Sequence, residues 1–283
     1  MEKIVVTTDL SANSRAGMRY AIQLARQRNA ELIFLHVHFV LRASMWSDEL
    51  YAHYVKEMQE AIMDELPGFV KSVYHTMKVP AEGYRLELVN KIDTVDSIIS
   101  FAQSVQADYI IISTRGAGKL KKLYGTNTSS LISKSPLPVI CVPSTFRVKP
   151  IGKLLYASDM TDYEQELKQV VSFARPINAT IEMLHVAYPF ELILDKQLAE
   201  QSLKNKVGYD VNLHYTGHSN DAPLMELIEA AVKSSKTDLL VMFTNQERSF
   251  FERVFLSSSA QTYSFNAKVP LLSFRKTAGI LQA

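Results

Sequence analysis

Four apolar runs appear twice in this chain, in the same order. Residues 3–9 read KIVVTTD and residues 153–159 read KLLYASD, each a run closed by a small hydroxyl residue and an aspartate. Residues 31–37 (ELIFLHV) are echoed by 180–186 (TIEMLHV), 107–114 (ADYIIIST) by 237–244 (TDLLVMFT), and 137–143 (LPVICVP) by 269–274 (VPLLSF). Repetition at this scale predicts two copies of one supersecondary design, so each half serves as an internal reference for the other. The expected domains are 1–146 and 151–283, joined at STFRVKP (144–150), which is bounded by Pro143 and Pro150.

Within each copy, short apolar runs alternate with segments of helical spacing. Ile4–Thr8 is β-branched, as suits a strand covered on both faces, and Met18, Ala21, Ile22 and Ala25 follow at helical intervals behind Ser11, Asn13 and Ser14, which supply capping chemistry. Residues 44–71 read as a long helical region with Leu50, Tyr54, Met58, Ala61 and Met63 near one face, broken around Pro67-Gly68. Trp46 with Tyr51 and Tyr54 forms an aromatic group there, read as core or interface packing. Thr94 or Asp93 caps the next helix, and Thr126–Ser133 is helical before a fifth strand at Val139–Val142. Strand–helix alternation requires right-handed crossovers, so the fold class expected is α/β, two tandem open parallel five-stranded sheets with helices on both faces, Rossmann-like. The middle of the second copy is shorter: His36 to Asp108 spans 72 positions, His185 to Asp238 only 53.

Bulk properties narrow the function. A formal charge of +2 gives no nucleic-acid footprint. The single cysteine, Cys141, excludes a disulfide framework or cysteine metal site and reads as a small buried hydrophobe. No apolar run approaches the about eighteen residues of a membrane span, and the N-terminal run is too short for a signal peptide. The expectation is a cytoplasmic protein with no membrane partner.

The segment that points to a ligand follows the fourth strand. From Ser113 it reads STRGAGKLKKLYGTNT, ending at Thr128. Glycines where a strand hands over to a helix allow close backbone approach, and amides at Gly125–Thr128 opening a helix favour an anion. Thr126 and Thr128 add hydroxyl donors, and Arg115, Lys119, Lys121 and Lys122 raise the local potential. In an open parallel sheet this loop lies beside the ends of the first two strands, which brings Asp9 and Val37 to the same crevice. Asp9 there could accept ribose hydroxyls or simply cap the first helix; the Val37 backbone could meet a base edge.

These stretches, residues 3–37 and the loop ending GTNTSSLISKSPLPVICVP, resemble the universal stress protein family, over essentially the whole chain as a tandem pair and more loosely in the second half. The resemblance implies a non-catalytic stress-response protein that binds ATP or another adenine nucleotide through Thr8, Asp9, Val37, Ser113, Gly116, Gly125, Thr126, Asn127 and Thr128. Two departures stand out: Ser113 replaces the first glycine of the family's loop, and eight residues rather than nine separate Gly116 from Gly125. AMP, or no ligand at all, stays open beside ATP.

The second copy is expected to bind no nucleotide in this way. Its matching loop, residues 244–259, has no glycine, carries Glu247 and Glu252, and is filled by Phe250, Phe251 and Phe255. His36 and His185 occupy equivalent strand ends and are expected to be structural; the His36/His38 pair has no evident third metal ligand. The alternative function is a nucleotide-free scaffold acting through dimerisation. There Val139–Val142 and Leu271–Phe274 serve as pairing edges, within one chain or in a homodimer, for an unknown signalling partner.

Overall fold

The computed structural model describes residues 1–114, 126–160, 162–187, 195–217, 224–244 and 269–276. They fall into two compact units, the first drawn mostly from residues up to Lys149 and the second mostly from Pro150 onward, with Ile132–Lys134 grouped in the second.

In the first unit the order is β1 (Lys3–Thr7), α1 (Ser14–Arg28), β2 (Glu31–His38), α2 (Asp48–Met77), β3 (Tyr84–Asn90), α3 (Thr94–Ser104), β4 (Tyr109–Thr114), α4 (Thr126–Lys134) and β5 (Val139–Pro143). The strands lie in the order β3-β2-β1-β4-β5, all parallel, with Val6 opposite both Phe34 and Ile111. Ile4, Val5 and Val6 are wholly buried and every residue of β5 is buried, as continuous apolar runs in a covered parallel sheet require. α1 packs on β1, β4 and β5 through Met18, Ile22 and Leu24, among others.

The second unit repeats this plan with β6 (Lys153–Ser158), α5 (Tyr163–Ala174), β7 (Thr180–Ala187), α6 (Lys196–Val207), β8 (Val211–Gly217), α7 (Leu224–Ser235), β9 (Leu239–Thr244) and β10 (Leu271–Arg275), ordered β8-β7-β6-β9-β10. The repetition extends to single hydrogen bonds. Asp108 accepts from the Lys3 amide at 2.8 Å and Asp238 from the Lys153 amide at 2.9 Å. Left-handed residues recur as Asn29 and Asn178 after the first helix and as Gln106 and Lys236 before the fourth strand. The α/β class and the parallel five-stranded arrays expected from the sequence are therefore present. The trimmed middle corresponds to α6, 12 residues against 30 in α2.

α2 differs from the sequence expectation at one point. It does not break at Pro67-Gly68. Burial of Leu66 and Val70 on either side, each worth about 1.5–3 kcal/mol, offsets the roughly 3 kcal/mol that an interior proline costs. Leu50, Tyr54, Met58 and Met63 of the stripe are exposed, and the buried positions are Ile62, Leu66, Val70, Val73 and Tyr74. Ser47 caps the helix by accepting from the Leu50 amide at 3.2 Å, and Asp93 caps α3 through the Asp96 amide at 2.9 Å. Among the described residues no helix is long and apolar enough to cross a membrane.

Candidate functional site

Chain order runs from β1 outward to β3, then returns to β4 on the other side of β1. The topological switch point therefore lies between β1 and β4, at their carboxyl ends. Thr8 and Asp9 follow β1 at that point. The Thr8 hydroxyl accepts the Leu10 amide at 3.1 Å and pairs with the Ser14 hydroxyl at 2.9 Å, holding Leu10 at a left-handed φ of 60°. Asp9 is exposed, and its Oδ1 accepts from both the amide and the hydroxyl of Ser11, at 3.1 and 2.6 Å. The aspartate thus organises the turn into α1 while standing exposed at the switch point. Asn13 holds the N-cap position but makes no side-chain capping bond; Ser14, donating to the Ser11 carbonyl at 2.8 Å, braces the turn instead.

Val37 lies past the end of β1. The Thr8 amide donates to the Leu35 carbonyl, and the Lys91 amide donates to the His38 carbonyl on the far side of β2. Backbone groups alternate along a strand, so the amide and carbonyl of Val37 point the same way as those of Leu35, toward the space beyond β1. His36 is anchored by its Nδ1 to the Thr8 carbonyl at 2.9 Å, the structural role expected of it. His38 stacks on His36 with centroids 6.2 Å apart, and burial, with the neighbouring imidazole, holds its pKa below the usual value. Among the described residues no three His, Cys, Asp or Glu side chains gather into a metal-binding group.

Ser113 faces α1. Its hydroxyl donates to the Ser14 carbonyl at 3.0 Å and accepts the Gly17 amide at 2.7 Å, tying the end of β4 to the first turn of α1. Both hydroxyl functions are thereby engaged. A Cβ on Gly17 would come within 2.6 Å of that oxygen, which is why a glycine stands in the helix there. α4 starts at Thr126; Asn127 is exposed and Thr128 buried at its first turn. Gly116 and Gly125, with Arg115 and the lysines between them, lie outside the described residues, as does the side chain of Thr126. So do residues 245–259, including the acidic and phenyl side chains of the second loop.

In the second unit the equivalent turn is kept, with Ser158 accepting the Met160 amide at 3.0 Å and Met160 at φ 62°. The aspartate's environment is different. Lys276, directly after β10, donates to Asp159 Oδ1 and Oδ2 at 3.0 and 2.8 Å and lies 3.1 Å from Glu166 Oε1. Glu166 also accepts a short hydrogen bond from Tyr156. Burial would lower the Lys276 pKa, but the Asp159 hydrogen bond and the Glu166 charge outweigh it and raise the value. Burial dominates at Glu166, whose pKa is raised despite Tyr156 and Lys276. Burial and the Glu166 charge push Tyr156 upward as well. Lys276 was legible only as a lysine following the last strand; its convergence with residues 117 positions earlier was not.

An open parallel α/β sheet whose first strand is followed at the switch point by a hydroxyl and a carboxylate, Thr8 and Asp9, defines the class. Residues 1–143 match the Universal stress protein family. The "Stress response protein NhaX" of Bacillus subtilis (strain 168) is 30% identical over 162 residues, 50% of this chain and 97% of that protein. The "Universal stress protein A homolog 1" of Coxiella burnetii is 26% identical over 140 residues, 49% and 94% of the respective chains. A universal stress protein from Archaeoglobus fulgidus DSM 4304 has a similar fold over 97% of this chain and 98% of its own, with a TM-score of 0.71 at 18% identity. This chain belongs to the universal stress protein family.

Proposed function

We propose that the chain is a non-catalytic, cytoplasmic stress-response protein of two domains, 1–146 and 151–283, and that only the first binds an adenine nucleotide. The observation that carries this reading is that Asp9 and the Val37 backbone both fall beyond the carboxyl end of β1, at the switch point. Asp9 accepts the ribose hydroxyls, Val37 meets the base edge, and the amides at the start of α4 take the phosphates. Thr126, Asn127 and Thr128 belong to that last group, with Gly116 and Gly125 as the sequence-derived cradle. Ser113 contributes through its backbone, since its hydroxyl serves α1. The second domain is closed to the same ligand because Lys276 occupies its aspartate. ATP is the ligand implied by the family resemblance, with AMP as the competing adenine nucleotide.

Calorimetric titration of nucleotide-stripped protein with ATP and with AMP tests this. One binding event per chain is expected, accompanied by a rise in melting temperature. Asp9→Asn keeps the Oδ1 contact to Ser11 but removes the negative acceptor, and should weaken binding about tenfold or more. No heat and no thermal shift at millimolar nucleotide would defeat the reading and favour a nucleotide-free scaffold acting through dimerisation. The commitment of the Ser113 hydroxyl to α1 is the observation favouring that alternative.

A further inference from the structure

The first half of α2 is held to the described residues mainly at its edge, where Tyr51 donates to the Val40 carbonyl at 3.2 Å and Arg42 pairs with Asp48 at 2.8 Å. From Asp48 to Ala61 no residue is buried, although the same helix buries five side chains from Ile62 onward. An isolated helix of about four turns is marginal in water, so this half is sustained by its anchored continuation, by the Ser47 cap and by i,i+4 pairs such as Lys56–Glu60 at 3.6 Å.

What it presents is not a neutral polar surface. Leu50, Tyr54 and Met58 recur every fourth residue on one stripe and are 40%, 42% and 48% exposed. Trp46 stacks on Tyr54 with centroids 4.6 Å apart, and Met45 is 88% exposed just before the helix. Contiguous exposed apolar groups of this size mark an interaction surface more often than incidental exposure. The border of the stripe is acidic. Between Ser47 and Glu65 there are six carboxylates and one lysine, five negative charges net, in a chain whose total is +2.

We infer that the N-terminal half of α2 docks a basic amphipathic helix of a partner protein. The apolar stripe takes the partner's apolar face, and the carboxylates beside it take its lysines or arginines. Same-face pairing with a second copy would set acidic border against acidic border, and an anionic lipid surface would be repelled likewise. The inference stands whether or not a nucleotide binds at β1 and β4.

The full chain is titrated with a synthetic leucine–lysine amphipathic helical peptide and with a scrambled peptide of the same composition. Trp46 is the only tryptophan, so its emission reports on the stripe directly. The amphipathic peptide is expected to shift that emission and to protect residues 48–61 from hydrogen exchange. Binding should weaken roughly tenfold or more in L50S/Y54S/M58S, and also in D64K/E65K, which leaves the Lys56–Glu60 pair in place. None of these side chains is buried, and circular dichroism should register unchanged helix content. Equal binding of the scrambled peptide, undiminished binding by either variant, or protection elsewhere would overturn the inference. So would a concentration-dependent dimer abolished by L50S/Y54S/M58S, or binding to phosphatidylcholine vesicles, since these assign the stripe to a second copy or to a membrane.

Discussion

Lys276→Met should destabilise the second half by about 3 kcal/mol. The ammonium is 9% exposed and faces two carboxylates, Asp159 at 22% and Glu166 at 5% exposure. Removing it leaves two acidic groups in a poorly hydrated site without a counter-charge, and breaking a buried pair costs more than the pair contributes. The lower end of the usual range applies because Asp159 is partly solvated. Urea unfolding followed by circular dichroism, with hydrogen exchange at the β6 and β10 amides, measures the loss. Lys276→Met/Asp159→Asn should recover part of it, giving a coupling energy by double-mutant cycle.

The pH dependence has a definite sign. The Lys276 pKa is raised in the folded protein, so its contribution is present below its ordinary value of 10.5 for as long as the facing carboxylates are charged, and is lost as pH rises through the folded value. The Glu166 pKa is raised too, which for a carboxyl means that the fold favours the protonated form. That contribution is complete below 4.5 and disappears as pH climbs through the higher folded value. Wild type and Lys276→Met should therefore converge in acid, where the carboxyls carry protons, and diverge toward neutrality. A difference constant from acid to neutral pH would mean that the methionine acts through packing alone.

Gly17→Ala should also destabilise, by about 1–2 kcal/mol, although alanine is the better helix former by about 1 kcal/mol. The new methyl would lie 2.6 Å from the Ser113 hydroxyl and 3.2 Å from its backbone nitrogen. The hydroxyl can turn away only by giving up its bonds to Ser14 and Gly17, each worth about 0.5–1.5 kcal/mol, and the backbone contact remains. Adding Ser113→Gly should relieve the closest contact without restoring the acceptor for the residue 17 amide. Thermal melts of the two single variants and the double variant distinguish these contributions; a more stable Gly17→Ala would show that β4 yields freely.

Most of the fold was legible because strand burial is written in local sequence. Runs such as IVV at 4–6 and VICVP at 139–143 admit little besides covered strands, and the duplication set their order. The helical faces were less legible. Spacing identifies a stripe on a helix but not whether it turns inward, so Leu50, Tyr54 and Met58 could be set on one face while their exposure could not be read. The proline at 67 was overrated as a breaker because the anchoring side chains around it depend on tertiary packing. Asp9 and Val37 could be placed beside the switch point from topology, whereas Thr8 entered only through the family resemblance. Whether the Ser113 side chain faced α1 or a ligand depended on the register of β4 against α1, which no single-chain pattern encodes. The Lys276 cluster failed for the same reason, being assembled from three separate segments of the second half.

Leu10 and Met160 hold nearly the same backward-bent dihedral, φ 60° and 62°, although neither is a glycine and their surroundings have drifted apart. A hydroxyl two residues earlier clasps the backbone in each case. The bend has thus outlasted the chemistry around it. The two halves differ in the side chains mounted on one shared main-chain curve, so the shape of this corner is set by a backbone clasp and not by what the neighbouring carboxylate meets.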